Sequence, residues 1–387
     1  MRICLVYDCL YPWTVGGAER WYRQLATELA TAGHDVTYLT RRQWRDGEAP
    51  SIDGVTVVAV SPGGSLYDPA GRRLPVPPLR FGAGVGGHLA RHRSSYDVVH
   101  LCSFPYLALP AARLALAGTA TRVQVDWFEL WSSRYWLGYA GPVLGRVGAL
   151  VQRLCVRLTP KAFAFSDLTA RRLRAGGFTG ELVRLTGLYG GPIEGSPSIE
   201  RPDPPLVVYA GRHTFEKQVD ALPPALAVAR RHLPGLRAII LGDGPLRASV
   251  MSSITELGLG EAVEAPGFVP SEDVAAAMKA ATCLVVPSMR EGYGLVVVEA
   301  ASWATPVVVV AGEDNAAVEL VEEGVNGFVV PDRSPESIAR GILAVHEGGP
   351  ELRSRCASWF RRRAAELASS ASVRRIVDEV GAAAPDS

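Results

Sequence analysis

Four charged side chains in the second half of the chain have types and spacing suited to binding a phosphorylated sugar-like ligand. Arg212 and Lys217 directly follow one apolar run, and Glu291 and Glu299 follow another. An arginine guanidinium suits bidentate recognition of phosphate, and a lysine supplies a point charge. A carboxylate is repelled by phosphate, so Glu291 is expected to accept hydrogen bonds from a neutral polyol. The alternative for Arg212 and Lys217 is ordinary solvent exposure.

The segment after Glu291 has the pattern of a helix N-terminus that binds an anion. Two glycines flank a tyrosine in the run Gly292, Tyr293, Gly294 and Leu295. Glycine lets a phosphate approach the free backbone amides, and the helix dipole favours negative charge there. Glu299 would lie about 7 Å beyond Gly294 along the helix axis, which suits a nucleoside ribose. The alternative is a plain helix start whose acidic residues offset the dipole.

A double glycine near the start of the chain offers a third contact. Gly16 and Gly17 lie between the predicted first strand and first helix. Such a pair allows close backbone approach to a ligand. The alternative is a tight turn.

One glycine pattern, at residues 82–87, is assigned no function. It fits G-x-G-x-x-G, but it follows a proline-rich stretch, whereas a dinucleotide-binding motif follows a strand and opens a helix. Residues 68–87 are therefore predicted to form a long surface loop.

Short β-branched runs alternate with helical patterns along the whole chain. Many of these runs are continuously apolar, which indicates strands buried on both faces of a parallel sheet. The pattern predicts an α/β fold. The candidate strands are 3–7, 36–39, 55–60, 98–101, 123–125, 162–165, 206–209, 238–241, 263–264, 283–286 and 306–310.

Glycine and proline are concentrated between residues 187 and 205, which suggests a hinge between two domains. We therefore expect an N-terminal Rossmann-like domain, a linker, a C-terminal Rossmann-like domain and a final group of helices. A ligand cleft is expected between the domains, at the carboxyl ends of the strands. The expected boundaries are 1–190, 191–205, 206–345 and 346–387.

Composition excludes several other classes of protein. The chain has 387 residues, of which 48% are apolar and 20% charged, and its net charge of +1 disfavours nucleic-acid binding. Its six cysteines form no C-x-x-C pair, so we expect buried free thiols and a reducing cytoplasm. The N-terminus has the pattern of a strand, not a signal peptide, and no apolar run reaches the roughly 18 residues of a membrane span.

Together these motifs resemble the family 4 retaining glycosyltransferases of the GT-B fold, which use nucleotide sugars. The resemblance covers nearly the whole chain and is most specific in the second half. It implies that two Rossmann-like domains, each with a parallel sheet, face each other across a cleft. The segments that carry it are 211–217, 242–245, 266–269, 291–294, Glu299 and 324–328.

The resemblance also implies roles for individual residues. In that family the first Glu of the pair contacts the donor sugar, which corresponds to Glu291, and the second holds the ribose, which corresponds to Glu299. An Arg and a Lys neutralise the diphosphate leaving group, which implies that role for Arg212 and Lys217. We expect Arg212, Lys217 and Glu291 to be catalytic.

Further donor contacts follow from the same resemblance. The segment with Phe268 and Val269 borders the nucleobase in that family, and the N-terminal double glycine, here Gly16 and Gly17, faces the diphosphate. The last helix of family members crosses back to the first domain, which would fit residues 372–380.

The first half departs from the family pattern. Where members often read Asp-Val-Val-His-x-His, this chain has His100 and then Cys102, and Phe128 stands in a later stretch that often holds a His. Asp126 and Glu129, amid several tryptophans, would suit an acceptor pocket or a packed loop. For His100 the alternative to an acceptor contact is a structural, hydrogen-bonded side chain.

The sequence therefore predicts a retaining glycosyltransferase that moves a sugar from a nucleoside diphosphate sugar, such as a UDP- or GDP-sugar, to a small-molecule, glycan or lipid acceptor. We expect no cofactor and no metal, because no D-x-D motif or metal-ligand spacing is present. The alternatives are a GT-B sugar-nucleotide epimerase, a pseudo-glycosyl coupling enzyme or a non-catalytic nucleotide-sugar binder.

A cytoplasmic location is expected, with the inner membrane surface as an alternative. The stretch 143–158 carries arginines and has apolar positions at 143, 147, 150, 154 and 158. This pattern fits either a membrane-contacting helix or, more commonly, a helix packed on the core.

Overall fold

A computed structural model describes residues 1–45, 47–48, 50–66, 74–193, 197–200 and 202–381. The described residues divide into two compact units. Unit 1 runs from the beginning of the chain to Leu188 and resumes at Ser369. Unit 2 comprises Tyr189–Ala368.

Unit 1 is an α/β sandwich around a parallel sheet. In the part of the chain that the structure describes, this sheet has seven strands in the order β3-β2-β1-β4-β5-β6-β7. The strands are β1 (Arg2–Val6), β2 (Asp35–Arg41), β3 (Val55–Ser61), β4 (Val98–Cys102), β5 (Arg122–Trp127), β6 (Lys161–Ala164) and β7 (Glu181–Arg184). The helices are α1 (Gly17–Thr31), α2 (Val76–Arg91), α3 (Ala108–Ala115), α4 (Ser133–Leu158) and α5 (Asp167–Ala175).

The prediction of a surface loop over residues 68–87 is wrong for residues 76–87, because these belong to helix α2, which begins at Val76. Residues 68–73 lie outside the described residues. Prolines are compatible with a first helical turn, whose backbone N–H groups need no partner within the helix. The glycines serve close packing: a Cβ on Gly84 would lie 1.9 Å from the Val60 carbonyl oxygen. The motif at 82–87 thus lies within a helix packed on β3.

Unit 2 repeats the layered design. Among its described residues, a six-stranded parallel sheet has the order β10-β9-β8-β11-β13-β15, and β12 pairs with β14 beside it. The strands are β8 (Leu206–Ala210), β9 (Arg237–Leu241), β10 (Val263–Gly267), β11 (Cys283–Val286), β12 (Arg290–Glu291), β13 (Val307–Val310), β14 (Asp314–Asn315) and β15 (Gly327–Val330). The helices are α6 (Leu222–Arg230), α7 (Arg247–Glu256), α8 (Ser271–Ala280), α9 (Leu295–Ser302) and α10 (Pro335–Leu367).

The last helix, α11 (Ser369–Gly381), returns to unit 1. Lys161 of β6 binds its Glu379 with an Nζ–Oε2 distance of 2.6 Å, and the Gly187 backbone N–H donates to Ser372 Oγ at 3.0 Å. The preceding α10 continues through residue 345 and bends at Gly349, where φ is +49°. The chain therefore passes between the units twice, near residues 188 and 368.

All six cysteines are buried and none of them forms a disulfide, as the sequence predicted. Among the described residues, none of the helices combines the length and the apolarity needed to cross a bilayer.

Candidate active site

The charged residues of unit 2 meet where the strand order reverses. Strands β8 and β11 are neighbours in the sheet although 72 residues separate Ala210 from Cys283, and Val207 pairs with Cys283. Ligands of open α/β sheets bind at such a reversal, outside the carboxyl ends of the strands. Arg212 and Lys217 follow β8 and Glu291 follows β11, so the topology brings them to one edge.

Lys217 and Glu291 form a close ion pair at this edge. The Lys217 Nζ lies 2.6 Å from Glu291 Oε1, and the side chains are 23% and 11% exposed. The Ser288 hydroxyl donates to the same carboxylate oxygen at 2.7 Å. Glu291 Oε2 has no partner among the described residues, so it remains available to a ligand hydroxyl.

Glu216 lies between two arginines. Its Oε1 is 3.7 Å from Arg212 Nη2 and 3.8 Å from Arg290 Nη2. Burial alone raises the pKa of the Glu216 carboxyl. The Arg290 charge, a hydrogen bond from its own backbone and the Arg212 charge outweigh burial, and the pKa lies below its ordinary value. Glu216 is thus a carboxylate that orients Arg212, whose side chain is 60% exposed.

Backbone contacts hold the loop that carries Glu291. The Met289 N–H donates to the Glu216 carbonyl at 3.0 Å, which joins the segments after β8 and β11. Glu291 pairs with Asn315 in the β12–β14 ladder. The buried Asn315 amide donates to the Ser288 carbonyl at 3.1 Å and to the Val310 carbonyl at 2.8 Å.

Gly294 starts helix α9 under a steric constraint that excludes a side chain. Its φ is +94°, and a Cβ would lie 2.4 Å from the Ala317 Cβ. The helix begins at Leu295, as the sequence predicted, and its N-cap residue, Gly294, has no side chain to cap it. Tyr293 is buried, whereas Gly292 and Glu299 are half-buried. The first backbone amides of α9 have no partner within the helix, which is the arrangement that binds anions at helix N-termini.

The segment after β10 presents an exposed aromatic ring. Phe268 is 76% exposed and Val269 is half-buried. The ends of β8, β9 and β10 adjoin closely: a Cβ on Gly242 would lie 1.9 Å from the Gly211 carbonyl oxygen, and the Gly242 N–H donates to Gly267 at 2.8 Å. Phe268 therefore borders the same sheet edge as Arg212.

His213, next to Arg212, is completely buried, and neither ring nitrogen has a hydrogen-bond partner among the described residues. Burial lowers the pKa of its imidazole, and the Arg247 charge lowers it further. His213 is therefore a neutral, buried side chain.

In unit 1, Gly16 and Gly17 follow β1 beside the reversal between β1 and β4. A Cβ on Gly16 would lie 2.4 Å from Glu19 Oε2, which is the end of a flexible side chain, and a Cβ on Gly17 would meet nothing within 4 Å. The fold itself therefore tolerates a side chain at Gly17.

The structure brings His100 and Asp126 together in the core of unit 1. The Nε2–Oδ1 distance is 3.0 Å, and the side chains are 1% and 0% exposed. Trp21 Nε1–H donates to Asp126 Oδ2 at 2.9 Å, and His100 Nδ1 lies 3.3 Å from Gln124 Oε1. These contacts join α1, β4 and β5, which is the arrangement expected of a structural, hydrogen-bonded histidine.

Glu129 lies in a packed aromatic loop instead. Its Oε1 accepts from Trp131 Nε1–H at 2.8 Å. Phe128 stacks on Phe165 with ring centroids 4.5 Å apart, and Cys102 is buried. Where relatives often carry histidines, this chain has packing residues.

Comparison with known proteins identifies the family. The profile described as "Glycosyl transferases group 1" matches residues 195–363, and the "Glycosyl transferase 4-like domain" matches residues 16–188. The chain belongs to the group 1 glycosyl transferases of the GT-B fold.

Individual relatives agree with this group 1 assignment. The chain is 34% identical over 156 residues to the alpha-D-kanosaminyltransferase of Streptomyces kanamyceticus, which covers 40% of the chain but only 39% of that relative's length. It is 27% identical to the glycogen synthase of Mycobacterium tuberculosis over 94% of the chain and 90% of the relative.

Solved structures confirm the predicted fold class, α/β with two Rossmann-like domains. The sucrose-phosphate synthase of Thermosynechococcus elongatus has a TM-score of 0.79 at 19% identity, covering 99% of this chain and 100% of that one. HepE of Anabaena, solved in complex with UDP, has a TM-score of 0.72 at 18% identity, with the same coverage.

Sequence reasoning missed three residues of this site in the group 1 transferase: Glu216, Arg290 and Asn315. Glu216 lies inside the segment 211–217 and Arg290 directly precedes the segment 291–294, but nothing in their spacing indicates that they meet. Asn315 carries no sequence signal, because its role depends on the pairing of β12 with β14.

Proposed function

We propose that the protein transfers a glycosyl group from a nucleoside diphosphate sugar to an acceptor, with retention of anomeric configuration. The Lys217–Glu291 pair carries this proposal, because it places a cation and a hydroxyl-binding carboxylate together at the strand-order reversal of unit 2. The family supports the reaction class, and the UDP complex of HepE supports a nucleoside diphosphate sugar as donor.

In this proposal catalysis is electrostatic. Arg212, held by Glu216, and Lys217 face the departing diphosphate together with the amides that open α9. Preorganised charges act most strongly where charge develops in the transition state. Glu291 Oε2 accepts from a hydroxyl of the donor sugar, and Glu299 accepts from the ribose. In this proposal the negative charge on the departing diphosphate is stabilised without a divalent metal or other cofactor.

Phe268 and Val269 border the nucleobase, and Gly16 and Gly17 contact the diphosphate. We propose that His100, Asp126 and Glu129 serve the acceptor side of the site. Because the first two form a buried pair, we propose that they act by positioning β4 and β5.

A thermal-shift screen of UDP- and GDP-sugars tests the donor assignment, because a ligand bound only by the folded state raises its stability by about 2.7 kcal/mol at 100 Kd. At least one nucleotide sugar should raise the melting temperature of the wild-type protein, and Arg212→Ala should abolish the shift. No shift with any of them would contradict the proposal.

Product analysis tests the reaction class. Transfer with the donor's anomeric configuration, read from the proton coupling of the product, supports a retaining transferase. Isomerisation of the donor without acceptor would indicate an epimerase. Binding without turnover would indicate a nucleotide-sugar sensor. The same assay identifies the acceptor among small molecules, glycans and lipids of carbohydrate or natural-product pathways.

We also propose that helix α4 contacts an anionic membrane surface. Four apolar positions of the stretch 143–158 do not pack on the core: Val143, Val147, Leu150 and Leu154 are 70%, 52%, 68% and 48% exposed, whereas the opposite face of the helix, with Gln152, Cys155 and Val156, is buried. The adjoining exposed residues include Leu144 and the arginines at 146, 153 and 157, and residues 142–158 contain no acidic residue. Aliphatic and basic residues on one helix face suit an anionic bilayer surface.

Vesicle sedimentation tests this contact. The wild-type protein should bind phosphatidylglycerol vesicles more strongly than phosphatidylcholine vesicles, and L150E combined with L154E should abolish binding. Leu114→Glu is the control, since Leu114 is an exposed leucine on α3. If the L150E/L154E variant sedimented with phosphatidylglycerol vesicles as strongly as the wild type, the proposal would be contradicted.

A further inference from the structure

A pocket of about 380 Å³ opens on unit 1, at the carboxyl ends of β2 and β3 and beside the loop between β1 and α1. It lies on the same sheet edge as Gly16, which follows the pocket residue Thr14 by two positions. Its lining consists of Trp13, Thr14, Arg41, Arg42, Gln43, Trp44, Arg45, Gly63 and Gly64.

Gln43 fixes the wall of this pocket. Its Oε1 accepts from the Leu10 N–H and the Thr14 hydroxyl, both at 3.1 Å. Its Nε2 donates to Thr40 Oγ1 and to the Arg41 carbonyl, both at 3.2 Å. Because both ends of the amide are satisfied within the protein, Gln43 holds the loops together and leaves ligand contacts to its neighbours.

The pocket is built around a buried arginine. Arg41 is 3% exposed; its Nε donates to the Asp8 carbonyl and its Nη1 to the Gly64 carbonyl, each at 3.1 Å. Its Nη2 has no partner among the described residues. Arg42 and Arg45 lie exposed beside it. The lining contains three arginines and none of its described residues is acidic, although Asp8 is buried behind Arg41 and Glu48 Oε2 lies 3.5 Å from the Arg45 backbone nitrogen.

Two tryptophans form the apolar part of the same pocket. The rings of Trp13 and Trp44 have centroids 6.0 Å apart at an interplanar angle of 61°. Both side chains are half-buried. Aromatic faces pack on the apolar faces of rings such as those of sugars, while guanidinium groups bind phosphate or carboxylate.

We propose that this pocket binds an anionic group, a phosphate or carboxylate, carried by a ring-containing acceptor. Arg41 Nη2, Arg42 and Arg45 hold the anion, and Trp13 and Trp44 pack against the ring. This inference rests on the proposed glycosyl transfer, because it names the class of acceptor. The donor diphosphate is assigned to Arg212 and Lys217 of unit 2, so the anion bound at this pocket would be a second one.

Calorimetric titration with glucose 6-phosphate, glucuronate and glucose tests the pocket. Glucose 6-phosphate or glucuronate should bind at least about tenfold more tightly than glucose, with affinity falling as salt rises. Which of the two binds identifies phosphate or carboxylate as the group. The double variant R42Q with R45Q should lose at least about tenfold in that affinity, or 1.4 kcal/mol. Arg362→Gln, an exposed arginine on α10, is the matched control.

The donor site also attracts phosphate, so Arg212→Ala is titrated in parallel. Probe affinity that survives Arg212→Ala and falls in the double variant supports the pocket. Affinity that falls in Arg212→Ala and survives in the double variant overturns it, as does equal affinity for glucose. Titration of UDP and GDP tests the donor proposal separately. An unchanged melting temperature of the double variant excludes misfolding as the cause.

Discussion

The Lys217 ammonium nitrogen lies 2.6 Å from Glu291 Oε1, which joins the segment after β8 to the segment after β11. These residues are 74 positions apart and meet only because their strands are neighbours in the sheet. A bound diphosphate would compete with Glu291 for the lysine. The pair therefore holds both side chains in place before the donor arrives.

Lys217→Met should lower kcat/KM by about 10²-fold or more, because it removes a preorganised charge from the leaving group. Lys217→Arg should restore part of the rate, since it keeps the charge but not the geometry. Steady-state kinetics with the donor found by the thermal-shift screen measures both. Equal rates for Met and Arg at this position would rule out a role for the charge.

Glu299→Ala should weaken binding of the bare nucleoside diphosphate, because its proposed partner is the ribose. Glu291→Ala should weaken the sugar nucleotide and spare the bare nucleotide. Calorimetry with UDP or GDP and the matching sugar nucleotide separates the two effects. An equal loss of bare-nucleotide affinity in both variants would show that this division of roles is wrong.

Gly294→Ala should destabilise the protein, because the new Cβ would lie 2.4 Å from the Ala317 Cβ at a φ of +94°. A strained residue costs about 1–3 kcal/mol. Urea unfolding of the variant measures the loss. Gly235→Ala is the control, since a Cβ there meets nothing within 4 Å. Equal stability of the two variants would argue against the tight turn.

His213 should make the free energy of unfolding decrease as the pH falls below 6.5. Burial lowers its pKa in the folded state, so below the ordinary value of 6.5 the unfolded chain takes up a proton that the folded protein does not. Its contribution to stability is present above pH 6.5 and is lost as the pH falls through the folded pKa.

Urea unfolding between pH 7.5 and 5.5 measures this effect. His213→Leu should flatten the slope by at most about 1.4 kcal/mol per pH unit. His232→Gln, at an exposed histidine, should keep the wild-type slope. A wild-type slope in His213→Leu would exclude His213 as the cause.

The alternation of buried strands and helices could be predicted from the sequence. Most of the strands that were predicted begin and end within a residue or two of the predicted bounds. It missed the edge strands β7 and β15, the two-residue strands β12 and β14, and helix α2, whose prolines and glycines have the composition of a loop. Local composition does not reveal that a glycine row packs on a neighbouring strand.

Within the site, Arg212, Lys217 and Glu291 could be found because their types and spacing follow strand ends. The contacts of Glu216 with Arg290 and of Asn315 with Ser288 could not, because each depends on which strands become neighbours. Pairing between distant segments is a property of the sheet order, which spacing along the chain does not encode.

The central claim is that protein cations, and not a metal ion, stabilise the departing diphosphate. Release of nucleoside diphosphate from the nucleotide sugar, measured in excess EDTA for the wild type and Arg212→Ala, tests it most directly. We predict that wild-type turnover persists in EDTA and that Arg212→Ala loses about 10²–10³-fold, as for removal of one oxyanion contact. Loss of wild-type activity in EDTA with recovery in Mg²⁺ or Mn²⁺, or a fall of less than about tenfold in Arg212→Ala, would contradict the account.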